Sequence, residues 1–304
     1  SGSLAYDRIM NFPGYFKDNI VPEKIHVLNV SFPIERIEER FGGTAGNIAF
    51  NLSLFDVEST ILACTGRDFS KYGNWLASKK VDLSKIKKVE KELTSTAYII
   101  TDNTNNQIAG FYMGAMKMPS KQKIEGDAND IAIIAPGNIQ DMMHYQDQYQ
   151  DKKIPYIFDP GQMLTYLQPE EIRALVTGAK VLVTNDYELD LVKKKTELTL
   201  EQIFEICEIV ITTHGEKGSI IRTKNEEIKI NPVKPKSVVD PTGAGDAYRA
   251  GFIYGHINGK DLKTCGQLGS LAATYAVEEY GTQEHFYDLE EFKTKYKDNF
   301  KENF

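Results

Sequence analysis

The sequence is poor in the residues that mark secreted and zinc-binding proteins. It has three cysteines, an odd number without C-x-x-C spacing, and five histidines that lie singly among its 304 residues. A disulfide framework needs paired cysteines, and a zinc site needs clustered Cys or His ligands, so neither is expected. The cysteines are instead predicted to be small buried residues.

Long hydrophobic runs and an excess of positive charge are also missing. The longest apolar runs, such as "IAIIAP" and "IVITT", fall far short of the roughly 20 residues that cross a bilayer, and no charged and then apolar leader opens the chain. Because 43 acidic residues stand against 36 basic ones, the formal charge is −7, which opposes nonspecific binding to nucleic acid or an anionic membrane. We therefore expect a cytoplasmic protein with no membrane or nucleic-acid partner.

Strands and helices alternate in the second half of the chain. Short β-rich runs lie at 130–136, 154–160, 179–185 and 208–214, separated by helical patterns such as "PEEIRALVTGA" and "NDYELDLVKKK". This alternation predicts an α/β fold whose mostly parallel central sheet is covered by helices on both faces. Ligands bind beyond the carboxyl ends of such strands, where the polar segments "PGN", "DPGQ", "TNDYE" and "THGEKG" follow.

Strands of a different kind are predicted in the first half. Residues 24–32 ("KIHVLNVSF") have the composition of a strand, and 95–114 have that of a hairpin that turns at "NTNN". Neither segment has a helix directly attached, so we predict that both form a small β appendage beside the main sheet. No linker rich in Pro, Gly or Ser separates it, so a single domain over residues 1–304 is expected.

The stretch "VVDPTGAGDAYRAGF" at 238–252 predicts an anion-binding turn. "KSVVD" has the pattern of a strand and "AYRAGFIYGHI" that of a helix, which places "PTGAGD" where free backbone amides meet the positive end of a helix dipole. Gly243, Ala244 and Gly245 would let a phosphoryl group approach the backbone, and Asp246 would accept the proton of a hydroxyl attacking it. A helix cap with a glycine turn is the alternative. The chain contains no P-loop motif, and this stretch lacks the dinucleotide-binding spacing.

Two segments of the chain resemble the signatures of one protein family. "DPTGAGDAYRAGF" resembles the C-terminal signature of the PfkB, or ribokinase-like, carbohydrate and nucleoside kinases, and "FGGTAGNIAFNL" at 41–52 resembles their N-terminal signature. The resemblance implies a three-layer ribokinase-like fold with a β lid at about 8–40 and 93–115. It also implies that ATP donates its γ-phosphoryl group to an alcohol and that Mg²⁺ is required. Asp246 would be the base, and the amides of Gly243, Ala244 and Gly245 would form the anion hole.

The resemblance also implies residues that bind the acceptor. Asp7 matches the acid that holds sugar hydroxyls, whereas Gly42, Gly43 and Asn47 match residues that line the acceptor pocket. The chemistry agrees, because a carboxylate and an amide can bind two neighbouring hydroxyls and glycines let a flat ring lie close.

On the nucleotide side, "NDYE" from Asn185 to Glu188 matches the N-x-x-E element that sets a carboxylate near Mg²⁺ and the triphosphate. The same residues also fit a helix cap. "TTHGEKG" matches the turn that meets the nucleotide, with the candidates Thr213, Gly215 and Gly218. Asp240 and Thr242 match positions at which some members bind K⁺.

The identity of the phosphoryl acceptor is indicated by the similarity of four shorter segments to particular members of the family. "TDNTNNQIAGFYMGA", "FDPGQ", "GDAYRAG" and "VEEYGTQ" are most similar to nucleoside kinases of archaeal type and to bacterial adenosine kinases. Those members place aromatic or methionine side chains of the lid over a base, for which Phe111 and Met113 are the candidates; packing of the lid onto the sheet is the alternative. Arg249 could face the phosphates or the solvent.

We therefore expect an ATP-dependent nucleoside kinase that phosphorylates a 5′-hydroxyl, with adenosine as the first candidate. A sugar kinase of ribokinase or fructokinase type and a catalytically silent nucleoside-binding protein are the alternatives. The expected partner is the small-molecule nucleoside or sugar, and the chain is expected to be a monomer or a homodimer formed through the lid. Family members open with a β-strand before a glycine-serine pair, whereas this chain begins "SGSLAYD", so we expect that strand to lie before the numbered residues.

Overall fold

The computed structural model describes residues 1–27, 29–104 and 106–304. In chain order, the strands are β1 (Ala5–Asn11), β2 (Arg36–Gly42), β3 (Ala63–Gly66), β4 (Ile86–Val89), β5 (Ser95–Thr101), β6 (Gln107–Tyr112), β7 (Ala132–Ile134), β8 (Tyr156–Phe158), β9 (Val181–Asn185), β10 (Ile209–Thr213), β11 (Ser219–Arg222) and β12 (Glu227–Ile230). The α-helices are α1 (Thr44–Leu54), α2 (Ser70–Ser78), α3 (Ile139–Lys152), α4 (Pro169–Val176), α5 (Asp186–Thr196), α6 (Leu200–Phe204), α7 (Ala244–Ile257), α8 (Leu262–Val277) and α9 (Leu289–Phe300). Short 3₁₀ helices lie at Phe16–Asp18, Pro22–Val27, Gly114–Lys117, Gly161–Thr165 and Gly215–Lys217.

A central sheet has the strand order β12-β11-β10-β9-β8-β7. Strands β7 to β10 are parallel, and β11 and β12 extend the sheet with antiparallel pairs. Each of these four parallel strands lies inside one of the four runs predicted from the sequence. The prediction of a mostly parallel central sheet is therefore confirmed.

Helices cover both faces of this sheet because its strands are apolar on both sides. Phe158, Leu182 and Val210 share one buried cluster with residues of α3 to α6. Their neighbours Ile157 and Val183 belong to a second cluster with residues of α1, α7 and α8. Adjacent residues of a strand thus face opposite helical layers, which confirms the predicted three-layer arrangement.

Strands β2, β1, β5 and β6 form, in that order, a separate four-stranded sheet, called the small sheet below. Its β5 and β6 are the predicted hairpin; residue 105 of the predicted turn lies outside the described residues. Asp7 pairs with Ala97 of β5, which in turn pairs with Phe111 of β6. Because paired residues project to the same side, Asp7 and Phe111 share one face of the small sheet.

Two predicted strands are wrong. In the segment 24–32, the residues up to Val27 belong to a 3₁₀ helix and residues 29–32 form no strand, while Leu28 lies outside the described residues. Both edges of β1 are already paired with β2 and β5. Residues 236–240 form no strand either: the backbone amide of Val239 donates to the carbonyl of Val277 at the end of α8 instead of to a strand.

The cysteines agree with the sequence prediction, since Cys64, Cys207 and Cys265 are all buried and free. No helix in the described ranges combines the length and apolar character needed to span a membrane.

Candidate active site

Loops after β8, β9 and β10 lie at the carboxyl edge of the central sheet, where the loop after β8 contacts α7. Thr213 at the end of β10 pairs in register with Asn185 at the end of β9. Asp159 directly follows β8 and contacts Arg249 of α7. The structure therefore brings together three polar segments where ligands bind in parallel sheets.

The turn into α7 has the backbone of an anion site. Gly243 caps the helix with a φ of 80°, a left-handed conformation that favours glycine. The amide of Ala244 donates a long hydrogen bond of 3.3 Å to the Pro241 carbonyl, whereas those of Gly243 and Gly245 find no acceptor in the described parts of the chain. These amides and the positive end of the α7 dipole suit a phosphoryl group.

Asp246 lies in the first turn of α7 with one of its oxygens bound. Its Oδ2 accepts a hydrogen bond of 2.8 Å from Asn47 Nδ2. Burial raises the pKa of Asp246 to about 6, while the charge of Arg249 and the bond from Asn47 act to lower it. Its Oδ1 has no hydrogen-bond partner in the described residues and is available to accept a proton.

Arg249, whose role the sequence left open, is buried in an ion pair. Its guanidinium lies 2.5 Å (Nε to Oδ2) and 2.8 Å (Nη2 to Oδ1) from Asp159, and the two side chains are 11% and 2% exposed. A Cβ on Gly245 would lie 2.6 Å from Arg249 Nη1. The guanidinium therefore lies against the anion turn rather than in solvent.

Asp7, Gly42 and Gly43, which are predicted to bind the acceptor, also lie close together. A Cβ on Gly42 would lie 2.6 Å from Asp7 Oδ2, so the absence of a side chain makes room for this carboxylate. Gly43 has a φ of 86° and approaches the backbone of Ser3 closely. Burial, and after it the charge of Asp240, raise the pKa of Asp7 to about 6, so Asp7 lies within electrostatic reach of the segment that leads into the anion turn.

Phe111 and Met113 are exposed side chains, 54% and 38% accessible respectively. Side chains that fixed the small sheet onto the central sheet would be buried, so their exposure disfavours that alternative. Phe111 also shares its face with Asp7. Contact of these two side chains with a base stays a prediction.

The "NDYE" element forms a helix cap beside the anion turn. Asn185 Oδ1 accepts from the Glu188 amide at 2.7 Å, and Glu188 Oε2 accepts from the Asn185 amide at 2.8 Å. Burial raises the pKa of Glu188, and the charges of Asp159 and Arg249 also act on it. The cap therefore coexists with a carboxylate close to the anion turn. Gly215 begins the next 3₁₀ helix, after Thr213, and Gly218 caps its end.

The candidate K⁺ ligands have structural partners. Asp240 Oδ1 accepts from the amide of Thr242 at 2.9 Å, and Oδ2 accepts from that of Gly281 at 3.1 Å. Among the residues that the structure describes, no group of three or more His, Cys, Asp or Glu side chains could hold a metal ion. The Mg²⁺ and K⁺ sites thus stay predictions.

Residues 4–288 match the family "pfkB family carbohydrate kinase". The chain belongs to this family. This kinase is 34% identical over 285 residues to a nucleoside kinase of Methanocaldococcus jannaschii, covering 93% of this chain and 90% of that protein. The predicted enzyme class, a kinase that transfers a phosphoryl group to an alcohol, is confirmed.

Solved nucleoside kinases share the fold of this kinase. The crystal structure of Methanocaldococcus jannaschii nucleoside kinase, an archaeal member of the ribokinase family, has a TM-score of 0.89 at 30% identity and covers 98% of this chain and 96% of that chain. Burkholderia thailandensis nucleoside kinase in complex with ADP-inosine has a TM-score of 0.84 at 32% identity, covering 99% and 95%. The predicted ribokinase-like fold is confirmed.

Sequence reasoning did not assign a role to several residues of the candidate site. The segment "DPGQ", which begins with Asp159, was expected at the ligand-binding edge because it follows a buried strand, but its ion pair with Arg249 was not predicted. Thr282 and Gln283, which contact Asn47, had no predicted role. Nothing local marks Gln283, because its partner lies in the N-terminal part of the chain.

The buried ion pair predicts a large loss of stability when one partner is removed. Arg249→Leu leaves Asp159 buried without its counter-charge, so we expect the free energy of unfolding to fall by about 3 to 5 kcal/mol. The double variant Arg249→Leu/Asp159→Leu should recover most of this loss. Denaturant unfolding at neutral pH measures both. A double variant as unstable as the single one would contradict the role of the unpaired charge.

Proposed function

We propose that this kinase transfers the γ-phosphoryl group of ATP to the 5′-hydroxyl of a ribonucleoside, with adenosine as the first candidate acceptor. The observation that carries the proposal is Asp246, which keeps one oxygen free beside a turn with free amides. The prediction of a ribonucleoside kinase is confirmed by nucleoside kinase relatives that match over nine tenths of the chain. Adenosine stays a prediction, as do a cytoplasmic location and a monomer or a homodimer formed through the lid.

In the proposed reaction, Asp246 orients the hydroxyl and takes its proton as the hydroxyl attacks the phosphoryl group. A carboxylate with a pKa of about 6 is ionised at neutral pH but too weak to remove an alcohol proton beforehand, so the proton moves late. The amides of Gly243, Ala244 and Gly245 would stabilise the charge on the transferring oxygens. Asn47 holds the other oxygen of Asp246 in place.

The charges around the turn support a requirement for Mg²⁺. Three carboxylates, those of Asp159, Glu188 and Asp246, lie near it with one guanidinium, that of Arg249. This excess of negative charge would repel a triphosphate, and a divalent cation supplied with ATP would offset it. Mg²⁺ commonly keeps several waters and binds one or two carboxylates together with phosphates. We assign Glu188 to Mg²⁺, directly or through water.

The remaining ligands keep the positions that the family resemblance gave them. We assign Asn185, Thr213, Gly215 and Gly218 to the nucleotide because they cluster at the ends of β9 and β10. Asp240 and Thr242 remain the proposed K⁺ ligands. Each oxygen of Asp240 already accepts one backbone amide and keeps a lone pair for a cation.

On the acceptor side, we assign Asp7 to the ribose hydroxyls, and Gly42 and Gly43 to the wall on which the ribose lies. Phe111 and Met113 would cover the base. Their exposure supports this arrangement, because a flat heteroaromatic ring buries well against Phe and Met side chains. A sugar would use Asp7 without needing Phe111 or Met113.

Asp246→Asn should lower kcat by about 10²- to 10⁴-fold, because an amide cannot accept the hydroxyl proton. KM for the nucleoside should change little, since the side-chain shape is kept. Steady-state kinetics measure both. Asp190→Asn, which alters an exposed carboxylate on α5, is the matched control and should behave as wild type. Near-normal turnover in Asp246→Asn would refute the assignment.

The rate should fall in mild acid. Burial raises the pKa values of Asp7 and Asp246 to about 6. Asp246 must be ionised to take the hydroxyl proton, and ionised Asp7 accepts stronger hydrogen bonds from the ribose hydroxyls than protonated Asp7 does. With ATP and Mg²⁺ saturating, kcat/KM for the nucleoside should therefore decrease as the pH falls below about 6. In Asp7→Asn the decrease should involve one proton instead of two. A profile that stays flat down to pH values well below 6 would contradict both assignments.

The small sheet should distinguish nucleosides from sugars. Phe111→Ala/Met113→Ala removes contact that only a base can use, at a cost of about 1 to 3 kcal/mol in kcat/KM for adenosine, with little change for ribose. Asp7→Ala should weaken both substrates, because both use the hydroxyl anchor. Kinetics of adenosine and ribose in the three proteins provide the comparison. Equal losses in the double variant would favour the sugar kinase.

A further inference from the structure

A chain of hydrogen bonds through two buried amide side chains leads from Trp75 to Asp246. The indole Nε1 donates to Gln283 Oε1 at 3.0 Å, Gln283 Nε2 donates to Asn47 Oδ1 at 3.0 Å, and Asn47 Nδ2 donates to Asp246 Oδ2 at 2.8 Å. The two amide side chains are only 4% and 5% exposed. The three bonds connect four parts of the fold. Trp75 lies on α2, Gln283 lies in the segment that follows α8, Asn47 lies on α1 and Asp246 lies on α7.

The direction of these bonds follows from the chemistry of their first donor. An indole N–H can only donate, so the oxygen of the Gln283 amide must face Trp75 and its nitrogen must face Asn47. The nitrogen of Gln283 can only donate, so Asn47 presents its oxygen to Gln283 and its nitrogen to Asp246. Turning either amide over would place two donors or two acceptors against each other.

Neighbouring groups fix the side chain of Gln283, which donates to Asn47. Its second N–H bonds to Tyr72 Oη at 2.6 Å, and that hydroxyl donates to the Gly42 carbonyl at 2.9 Å. Thr282 Oγ1 lies 2.8 Å from Asn47 Oδ1 and 2.9 Å from a second acceptor, the Phe41 carbonyl. One hydroxyl hydrogen cannot fully satisfy both, so Gln283 is the donor that secures the orientation of Asn47.

We infer that Gln283 is a positioning residue: fixed by Trp75, it orients the Asn47 amide, which holds Asp246 with one carboxylate oxygen free for the acceptor hydroxyl. The kinetic part of this inference rests on the proposed role of Asp246 as the base. Among the described residues, the charged and titratable groups that act on or are acted on by the charge of Asp246 are Arg249 on α7, Asp159 after β8 and Tyr72 on α2. None of these three is altered in the variants below.

Gln283→Leu tests the inference by direct titration of Asp246. The protein is labelled with ¹³C-carboxyl aspartate, and Asp246→Asn assigns the Asp246 signal. Without Gln283, the Asn47 oxygen loses a donor that fixes the amide in place, so the bond from Asn47 Nδ2 to Asp246 is weakened and the carboxylate is disfavoured. We expect the titration midpoint to rise by about one pH unit, the effect of losing a hydrogen bond to a charged group. The midpoint of the decrease of kcat at low pH should move by the same amount.

Two further variants separate positioning from loss of packing. Gln267→Leu alters another buried glutamine, which bonds to Tyr296 and Glu302, and should leave the midpoint of Asp246 unchanged. Trp75→Phe keeps a ring between Phe41 and Phe50 but removes the indole N–H, so a smaller rise is expected. Circular dichroism checks the fold of each variant.

The outcomes distinguish this inference from the proposed function. Folded Gln283→Leu and Trp75→Phe proteins with the wild-type midpoint would overturn the positioning role. A further outcome is that the midpoint rises in the variants while the wild-type protein phosphorylates neither nucleosides nor sugars. That result would support the positioning of Asp246 and refute the proposed function. A raised midpoint together with the same shift in the decrease of kcat at low pH supports both.

Discussion

Asp246 is a buried carboxylate beside a turn with free backbone amides, and the arrangement around α7 depends on how the charge of this carboxylate is offset. In the proposed function this charge would also repel the phosphoryl group bound at the turn. Burial raises the pKa of Asp246, while the Arg249 guanidinium and the Asn47 amide favour its charged form. Arg249 is in turn held by Asp159. The cost of burying these charges is met by pairing them with each other and with amides, which leaves the free backbone amides of the turn for a phosphoryl group.

Much of the fold can be predicted from the sequence because its signals are local. Apolar runs of the right length mark β7 to β10, and reciprocal side-chain caps such as that of Asn185 and Glu188 mark a helix start. The strands predicted at 24–32 and 236–240 are wrong because composition favours extended backbone without showing whether a neighbouring strand is present. Pairing partners are a property of the folded chain.

The charge and hydrogen-bond pairs of the site could not be predicted for a related reason. Arg249 and Asp159 are 90 residues apart, and Gln283 and Asn47 are 236 residues apart. No periodicity or spacing connects such positions in a single sequence. The family signatures indicated Asp246 and the glycines of the turn, whereas only the structure shows that Asn47 contacts Asp246 and that Arg249 is buried beneath the turn.

The proposed reaction is phosphorylation of the 5′-hydroxyl of a ribonucleoside by this kinase. Its most direct test is ADP release from ATP and Mg²⁺ with adenosine, inosine, guanosine, cytidine, ribose and fructose, followed by ³¹P NMR of the product. We expect that at least one nucleoside is turned over faster than either sugar and that its product carries phosphate on the 5′ oxygen. Faster turnover of ribose or fructose than of every nucleoside, or a phosphate on another oxygen, would contradict it.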